Sequence, residues 1–473
     1  MRYEIGAAAL ALISGAKITL AQECPPGYAK STKLTWVNCP TTGNADLQCA
    51  TLQVPADWKD PAGKKLDLHL VRQPAAGDAT NAKSIIINPG GPGASGIQTV
   101  VDGGSGYQAT VGDNFHIVSF DPRGVGLTTP YTCAENPGDS GSYNTNEGLT
   151  TAFNYNTAQA NDCASAQYSD LVGTAYVARD IKAIAEALGE DGLIRYWGYS
   201  YGTLLGATLS AMFPDQIDRV ILDGNINPTD YYRGLGDEGS ADVDNGVKHF
   251  FDLCADAGPS DCAVAVNGQT GKQLQDTFDN FLDTLDYSQA KMIRDAFYQV
   301  LYFREAQAFS NFATLLAKYY NDPTTIKKRS LDKRQSDWKL DANYKDDESK
   351  TKLAISAITC GDVVQRYQGS PENFKTWLDI YKKTSKYGGD IAISLLYQCS
   401  VWTVDAKEKF SGAFRGITTR HPILFLNSQY DPVTPVISAK NSATGFVGSR
   451  VLLTSGVGVS NPIHLFSVHV NLT

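Results

Sequence analysis

Gly198-Tyr199-Ser200-Tyr201-Gly202 sets a serine between two glycines, directly after the apolar run LIRYW and before TLLGATLSAMF. That order reads as strand, sharp turn and helix, with the glycines flanking a turn too tight for side chains on both sides. Such a turn lifts the hydroxyl to a helix N-terminus, where unsatisfied amides favour developing negative charge, so the expected chemistry is attack on a carbonyl through an acyl-enzyme. Asn88-Pro89-Gly90-Gly91-Pro92-Gly93 follows the run SIII and exposes main-chain amides in a second glycine-rich turn. Gly91 and the amide of Tyr201 are the expected oxyanion donors. A phosphate-binding loop is disfavoured because no G-K-[ST] follows.

A nucleophilic serine needs a base, and the base needs an acid. Asp431 follows the run ILFLN, lies beyond Ser200 in chain order and is stiffened by Pro432 and Pro435, which makes it the candidate acid. An aspartate before proline is equally a common turn former. Asp121 in FDPRGVG and Asp223 in ILDGN also end apolar runs and are read as structural support. Histidine is scarce, with six in the chain. His69, His116, His249 and His421 lie in an early strand, at a strand start, in a helical region and just before a late strand, and none reads as a base. His464 and His469, near the end of the sequence, remain.

The elements that must hold these residues follow an α/β order. Alternating runs LQCATLQV and LDLHLV predict antiparallel strands, and KSIIIN, FHIVSF, LIRYW and DRVILD predict buried parallel strands ending in glycine, proline or aspartate. ARDIKAIAEALG predicts a helix stopped at Gly189. From Thr229 to Tyr397 the pattern becomes mainly helical and is read as a cap inserted into the core, after which PILFLN and SRVLLTSG predict the return of core strands. The expected organisation is a leader over 1–21, core over 22–228, cap over 229–397 and core again over 398–473. The charged stretch at 327–350 reads as an exposed loop and, secondarily, as a site of proteolytic nicking.

The chain has 473 residues, 42% hydrophobic and 19% charged, with a formal charge of -9. That composition suits a soluble globular protein and gives no reason to expect nucleic acid or an acidic membrane surface as partner. Arg2 before a small apolar run, with a cleavage point after Ala21, suggests a secretory leader; a buried N-terminal helix is the alternative. No other run is long and apolar enough to span a bilayer. Nine cysteines fit an oxidising compartment. Cys39/Cys49 and Cys254/Cys262 are close enough to close short loops, and Cys133/Cys163 and Cys360/Cys399 could pair across longer ones, free buried thiols being the alternative for each. Cys24 is then the odd one. No cofactor or metal is expected, since no cysteine-histidine cluster has metal spacing. A sequon at Asn471 stands too near the end to say much about glycosylation.

WVNCP, CATLQVPADW, NPGGPGASG, FDPRGVG, GYSYGTLLG, LDGN, AITCGD, CSVW and SQYDPVTP together closely resemble secreted tripeptidyl or prolyl aminopeptidase-like serine hydrolases, a group with the α/β-hydrolase fold and a TAP-like C-terminal region. The resemblance covers nearly the whole of the chain after the leader. It implies Ser200 as nucleophile, Asp431 as acid, an oxyanion site at Gly91 and Tyr201, and a helical insertion that limits access to short peptides or chain ends. It also implies a histidine directly after a G-x-G following the last strand. Here the sequence reads Gly456-Val457-Gly458-Val459, so valine occupies that position. Valine accepts no proton, which leaves His464 as the candidate substitute base. The tail SNPIHLFSVHVNLT departs from the family pattern, as an altered reading frame or a displaced exon boundary would make it.

The first functional expectation is therefore a secreted serine exopeptidase acting near the free N-terminus of short peptides, with Asp362 and Asp256 as candidate carboxylates for the substrate amine. An esterase or small-amide hydrolase of the same fold is the enzymatic alternative, because the elbow does not dictate the acyl group. A peptide-binding protein with an impaired hydrolase core is the other, and Val459 is the residue that distinguishes it.

Overall fold

Runs of β-branched and aromatic residues that end in glycine or aspartate form the strands of this chain, because such side chains pack on both faces of a buried sheet. The computed structural model describes residues 34–39, 46–134, 141, 143, 145–302, 306–326, 345–458 and 470–472. Among them one ten-stranded sheet runs in the order β1-β2-β3-β5-β4-β6-β7-β8-β9-β10. Its strands are β1 Val37–Asn38, β2 Gln48–Pro55, β3 Lys65–Gln73, β4 Lys83–Asn88, β5 Phe115–Phe120, β6 Ile194–Tyr199, β7 Ile217–Asp223, β8 Leu424–Tyr430, β9 Arg450–Val457 and β10 Val470–Leu472. The pairs β1–β2, β2–β3, β3–β5 and β9–β10 are antiparallel. The run β5-β4-β6-β7-β8-β9 is parallel throughout. The expected strands are thus present, and β8 extends further than the apolar run alone suggests, to Tyr430.

The helices of the first core segment are α1 Gly96–Val111, α2 Asn146–Ala164, α3 Thr174–Ala187 and α4 Tyr201–Met212. Alternation along β6 sorts them. Trp197 and Tyr199 pack with Ile97, Val100 and Tyr107 of α1 on one face, while Tyr196 packs with α3 and α4 on the other. Between β7 and β8 the chain leaves the sheet and forms α5 Pro228–Arg233, α6 Val243–Ala257, α7 Gly271–Asp283, α8 Tyr287–Tyr302, α9 Ala306–Asn321, α10 Lys345–Asp362, α11 Pro371–Thr384, α12 Gly389–Ala392 and α13 Ser394–Val401. The fold is therefore an α/β-hydrolase core with a large helical cap. Residue 397 falls inside α13, so helical structure continues past it. α14, Val436–Ala443, lies between β8 and β9.

The cap carries apolar clusters of its own. One gathers Phe250, Phe251, Phe278, Phe297 and Phe312, and another joins Phe374, Tyr381 and Tyr397 to Leu149 and Ala152 of α2. Four disulfides, Cys39–Cys49, Cys133–Cys163, Cys254–Cys262 and Cys360–Cys399, are the pairings expected from spacing. Residues 1–21, Cys24, residues 327–344, Val459, His464 and His469 lie outside the described residues. No helix among the described residues is long and apolar enough to cross a membrane.

Candidate active site

Ser200 sits between β6 and α4 at φ 52° and ψ -122°, a left-handed φ that a non-glycine residue adopts only when its surroundings enforce it. The enforcement is visible. Its amide donates to the carbonyl of Asp223 at 3.1 Å, and its carbonyl accepts from the amide of Thr203 at 2.9 Å. A Cβ on Gly198 would lie 2.2 Å from the carbonyl oxygen of Gly202, and one on Gly202 would lie 2.5 Å from that of Asn88. Both flanking glycines are thus required by close approach. Tyr199 and Tyr201 are buried while Ser200 is partly exposed, which points the hydroxyl out at the N-terminus of α4.

The Asn88–Gly93 loop, at the end of β4, lies against this turn. A Cβ on Gly90 (φ 92°) would stand 2.4 Å from the carbonyl oxygen of Tyr199 and 2.8 Å from the amide nitrogen of Tyr201. The loop is held by Gly90 N–H donating to Asn88 Oδ1 at 3.0 Å and Ala94 N–H donating to Gly90 O. Among the described residues, neither the Gly91 amide nor the Tyr201 amide donates to a protein acceptor. The two expected oxyanion donors are therefore in neighbouring turns and open to a ligand oxygen.

Asp431 follows β8 and is fully buried. Its Oδ1 accepts from the amides of Val433 and Thr434 at 2.9 and 2.7 Å, and its Oδ2 accepts from Thr434 Oγ1 at 2.7 Å. Burial and the charge of Asp431 help to push the phenols of Tyr298 and Tyr302, on α8 of the cap, away from ionisation. The segment before α6 meets the loop that follows the acid, where the amide of Val436 donates to Asp242 Oδ2 at 3.0 Å. Gly458 donates its amide to the carbonyl of Tyr430 at 2.9 Å, so the chain leaving β9 passes one residue from Asp431. The position after Gly458 is where the family histidine is expected.

Among the described residues, His116, His421 and His249 have other partners. His116 accepts from the amide of Ala75 at Nδ1 and faces the carbonyl of Ala79 with Nε2, so its ring is held neutral in a structural role. His421 pairs with Asp218, and His249 stacks on Tyr430 with ring centroids 4.0 Å apart.

Asp121 caps α1, accepting from Ser95 Oγ and the amide of Ile97 as well as from the amide of Leu127, which is the supporting role expected of it. Asp223 is fully buried beside Tyr107 and Tyr199, and its charge adds to burial in raising both phenols.

Asp362 is not placed to receive a substrate amine. It is fully buried, and its carboxylate accepts from the amide of Thr174 at 2.9 Å, from Thr174 Oγ1 and from Tyr231 Oη at 3.1 Å. Burial pushes it up to about 6, against those hydrogen bonds. Asp256 is exposed near the end of α6, beside the Cys254–Cys262 disulfide, with no described contact to Ser200 or Asp431. Among the described residues no group of three or more histidine, cysteine, aspartate or glutamate side chains could hold a metal ion. The sequence reading missed Thr351 and Ala354 of α10, which rest on Gly93, and the Thr174–Tyr201–Tyr231 hydroxyl group around Asp362. No local motif marks such long-range contacts.

The elbow, glycine loop and acid all stand at the C-terminal ends of adjacent or near-adjacent parallel strands. The sequence profile of the alpha/beta hydrolase fold family matches residues 83–458. The chain belongs to that family. It is similar to the serine protease Hip1 of Mycobacterium tuberculosis, 36% identical over 190 residues that cover 38% of this chain and 36% of that protein. It is similar also to the tripeptidyl aminopeptidase of Streptomyces lividans, 31% identical over 234 residues, or 46% of this chain and 41% of that one. A carboxylesterase B of M. tuberculosis is 34% identical over 224 residues, 44% and 42% of the respective lengths. The chain thus spans about two fifths of the curated relatives it matches. Among solved structures, an acetylester hydrolase from Corynebacterium glutamicum aligns over 88% of this chain and 90% of its own at 12% identity and a TM-score of 0.33.

Proposed function

We propose that this protein is a secreted serine exopeptidase that cleaves short peptides near a free N-terminus. The observation that carries the reading is Ser200 held at a left-handed φ at the head of α4, with the Gly90–Gly91 turn packed against it. In that geometry the hydroxyl attacks a peptide carbonyl as the base takes its proton, the amides of Tyr201 and Gly91 take the oxyanion, the C–N bond breaks as the base returns the proton to the departing amine, and water later hydrolyses the acyl-enzyme to free Ser200 and the acid. Asp431 orients and stabilises the protonated base. His464 is the candidate for that base, since Val459 cannot serve. The cap, in contact with the loop after Asp431 and with the glycine loop, favours small substrates over folded proteins, and four disulfides suit an extracellular setting. The match to a tripeptidyl aminopeptidase supports peptides as the substrate class.

A panel of tripeptide p-nitroanilides, each with a free or an acetylated N-terminus, tests the reading. Turnover restricted to the free forms supports an exopeptidase, and turnover of acyl esters with none of any peptide would replace it with an esterase. A second reading, a peptide-binding protein without turnover, is favoured by Val459 alone. Under it, Val459→His would create activity where the parent has none.

A further inference from the structure

Helix α3 begins at Thr174 with Gly173 as its N-cap, and no side chain of its own caps it. Asp362, 188 residues away at the last position of the cap helix α10, supplies the missing acceptor at the Thr174 amide. A carboxylate at a helix N-terminus also meets the positive end of the helix dipole. Gly173 makes the approach possible, since a Cβ there would lie 2.9 Å from Asp362 Oδ1. The carboxylate also accepts a hydrogen bond from Thr174 Oγ1, which leaves that oxygen to accept one from Tyr201 Oη. Tyr201 is the residue after the nucleophile, and its own amide, at the first position of α4, has no acceptor one turn back. Anchoring its ring through Oη therefore restrains the backbone that carries the amide.

The middle of the same helix touches the other donor loop. Gly93 packs so closely on α10 that a Cβ there would lie 3.0 Å from the carbonyl oxygen of Thr351 and 3.1 Å from Ala354 Cβ. Eleven residues of helix, about 16 Å, separate Thr351 from Asp362. The Cys360–Cys399 disulfide and a 2.8 Å hydrogen bond from Ser356 Oγ to Gln398 Oε1 tie α10 to α13 between and beside those contacts.

We infer that α10 is a strut aligning the two halves of the oxyanion site, with Asp362 and Thr174 as positioning residues that hold Tyr201 and with the Thr351–Ala354 segment holding the Gly91 loop. The inference deepens the hydrolase reading by assigning the cap a part in building the site.

Thr174→Val tests it, because valine keeps the shape and the amide that Asp362 caps but removes the hydroxyl that reaches Tyr201. Hydrogen exchange followed by mass spectrometry should show at least a tenfold faster exchange over residues 198–206 in Thr174→Val and no change over 88–96. Asp362→Asn should speed exchange in both segments. With a tripeptide p-nitroanilide, kcat should fall about 10- to 100-fold with KM unchanged, as small displacements of catalytic groups do, and Thr174→Ser should restore it. Parental exchange over 198–206 in Thr174→Val would overturn the strut, since capping alone would then explain Asp362. The exchange result does not depend on turnover. A parent protein that hydrolyses no peptide therefore counts against the exopeptidase reading and leaves the strut to be decided by exchange.

Discussion

Gly90 passes so close to Tyr199 that a Cβ on Gly90 would lie 2.4 Å from the Tyr199 carbonyl oxygen, inside any permissible contact. The glycine loop and the nucleophile elbow are therefore set against each other by backbone. Because Gly90 also has a left-handed φ, alanine there is strained twice over. Gly90→Ala should lower kcat by about 10²-fold, the scale of losing one oxyanion donor, with the loss far exceeding any change in KM. Steady-state kinetics with an activated ester, alongside circular dichroism to show folding, checks it.

Asp431 offers a prediction that separates catalysis from stability. Its carboxylate satisfies two amides, one of them fully buried, and one hydroxyl in its own loop. Asp431→Ala leaves those donors unpaired and should destabilise the protein by about 2–4 kcal/mol, whereas Asp431→Asn keeps one acceptor and should cost less. Both should reduce kcat by about 10⁴-fold if the acid orients the base. Chemical denaturation and initial rates on the same preparations read the two effects independently.

Much of this site is legible from local sequence, because an elbow, a glycine turn and a strand-terminal aspartate are each short-range devices. Ser200, Gly91, Tyr201 and Asp431 stand on the loops their neighbours predict. The strands of the parallel sheet are legible for the same reason, as continuous apolar runs. α1 is harder to read, since Gly103, Gly104 and Gly106 argue against a helix; it forms because its Ile97, Val100 and Tyr107 face bury against the sheet. Asp362 reads as a carboxylate for the substrate amine because its actual partners, Thr174 and Tyr231, lie more than a hundred residues away. Nothing in AITCGD announces a helix N-terminus elsewhere in the chain.

Asp230 gives a pH signature. Burial, with the neighbouring Asp237 carboxylate, raises it from the usual carboxylate value of 3.8 to about 7. A carboxyl with a raised folded-state value contributes stability that is fully present below about 4 and lost as pH rises through about 7. Asp230→Asn removes the repulsion and still accepts from the Glu238 amide, the bond made by Asp230 at 3.3 Å. It should therefore raise the melting temperature at pH 8 and change it little at pH 4. Thermal scans across that range check it, and equal shifts at both ends would contradict it.

The Cys360–Cys399 disulfide closes a loop of sequence separation 39 and ties α10 to α13. Loop-closure entropy puts its contribution at about 3–4 kcal/mol. Replacing both cysteines by alanine should lower the denaturation free energy by that order. It should also raise hydrogen exchange over residues 351–362 more than over α4.

Removal of the nucleophile tests the central claim most directly. Initial rates of a free N-terminal tripeptide p-nitroanilide should be measured for the purified protein and for Ser200→Ala at equal concentration, each shown to be folded. Turnover by the parent that falls by about 10⁴-fold or more in Ser200→Ala is the predicted result. Equal rates in the two proteins, or none in the parent, would contradict a serine exopeptidase centred on Ser200.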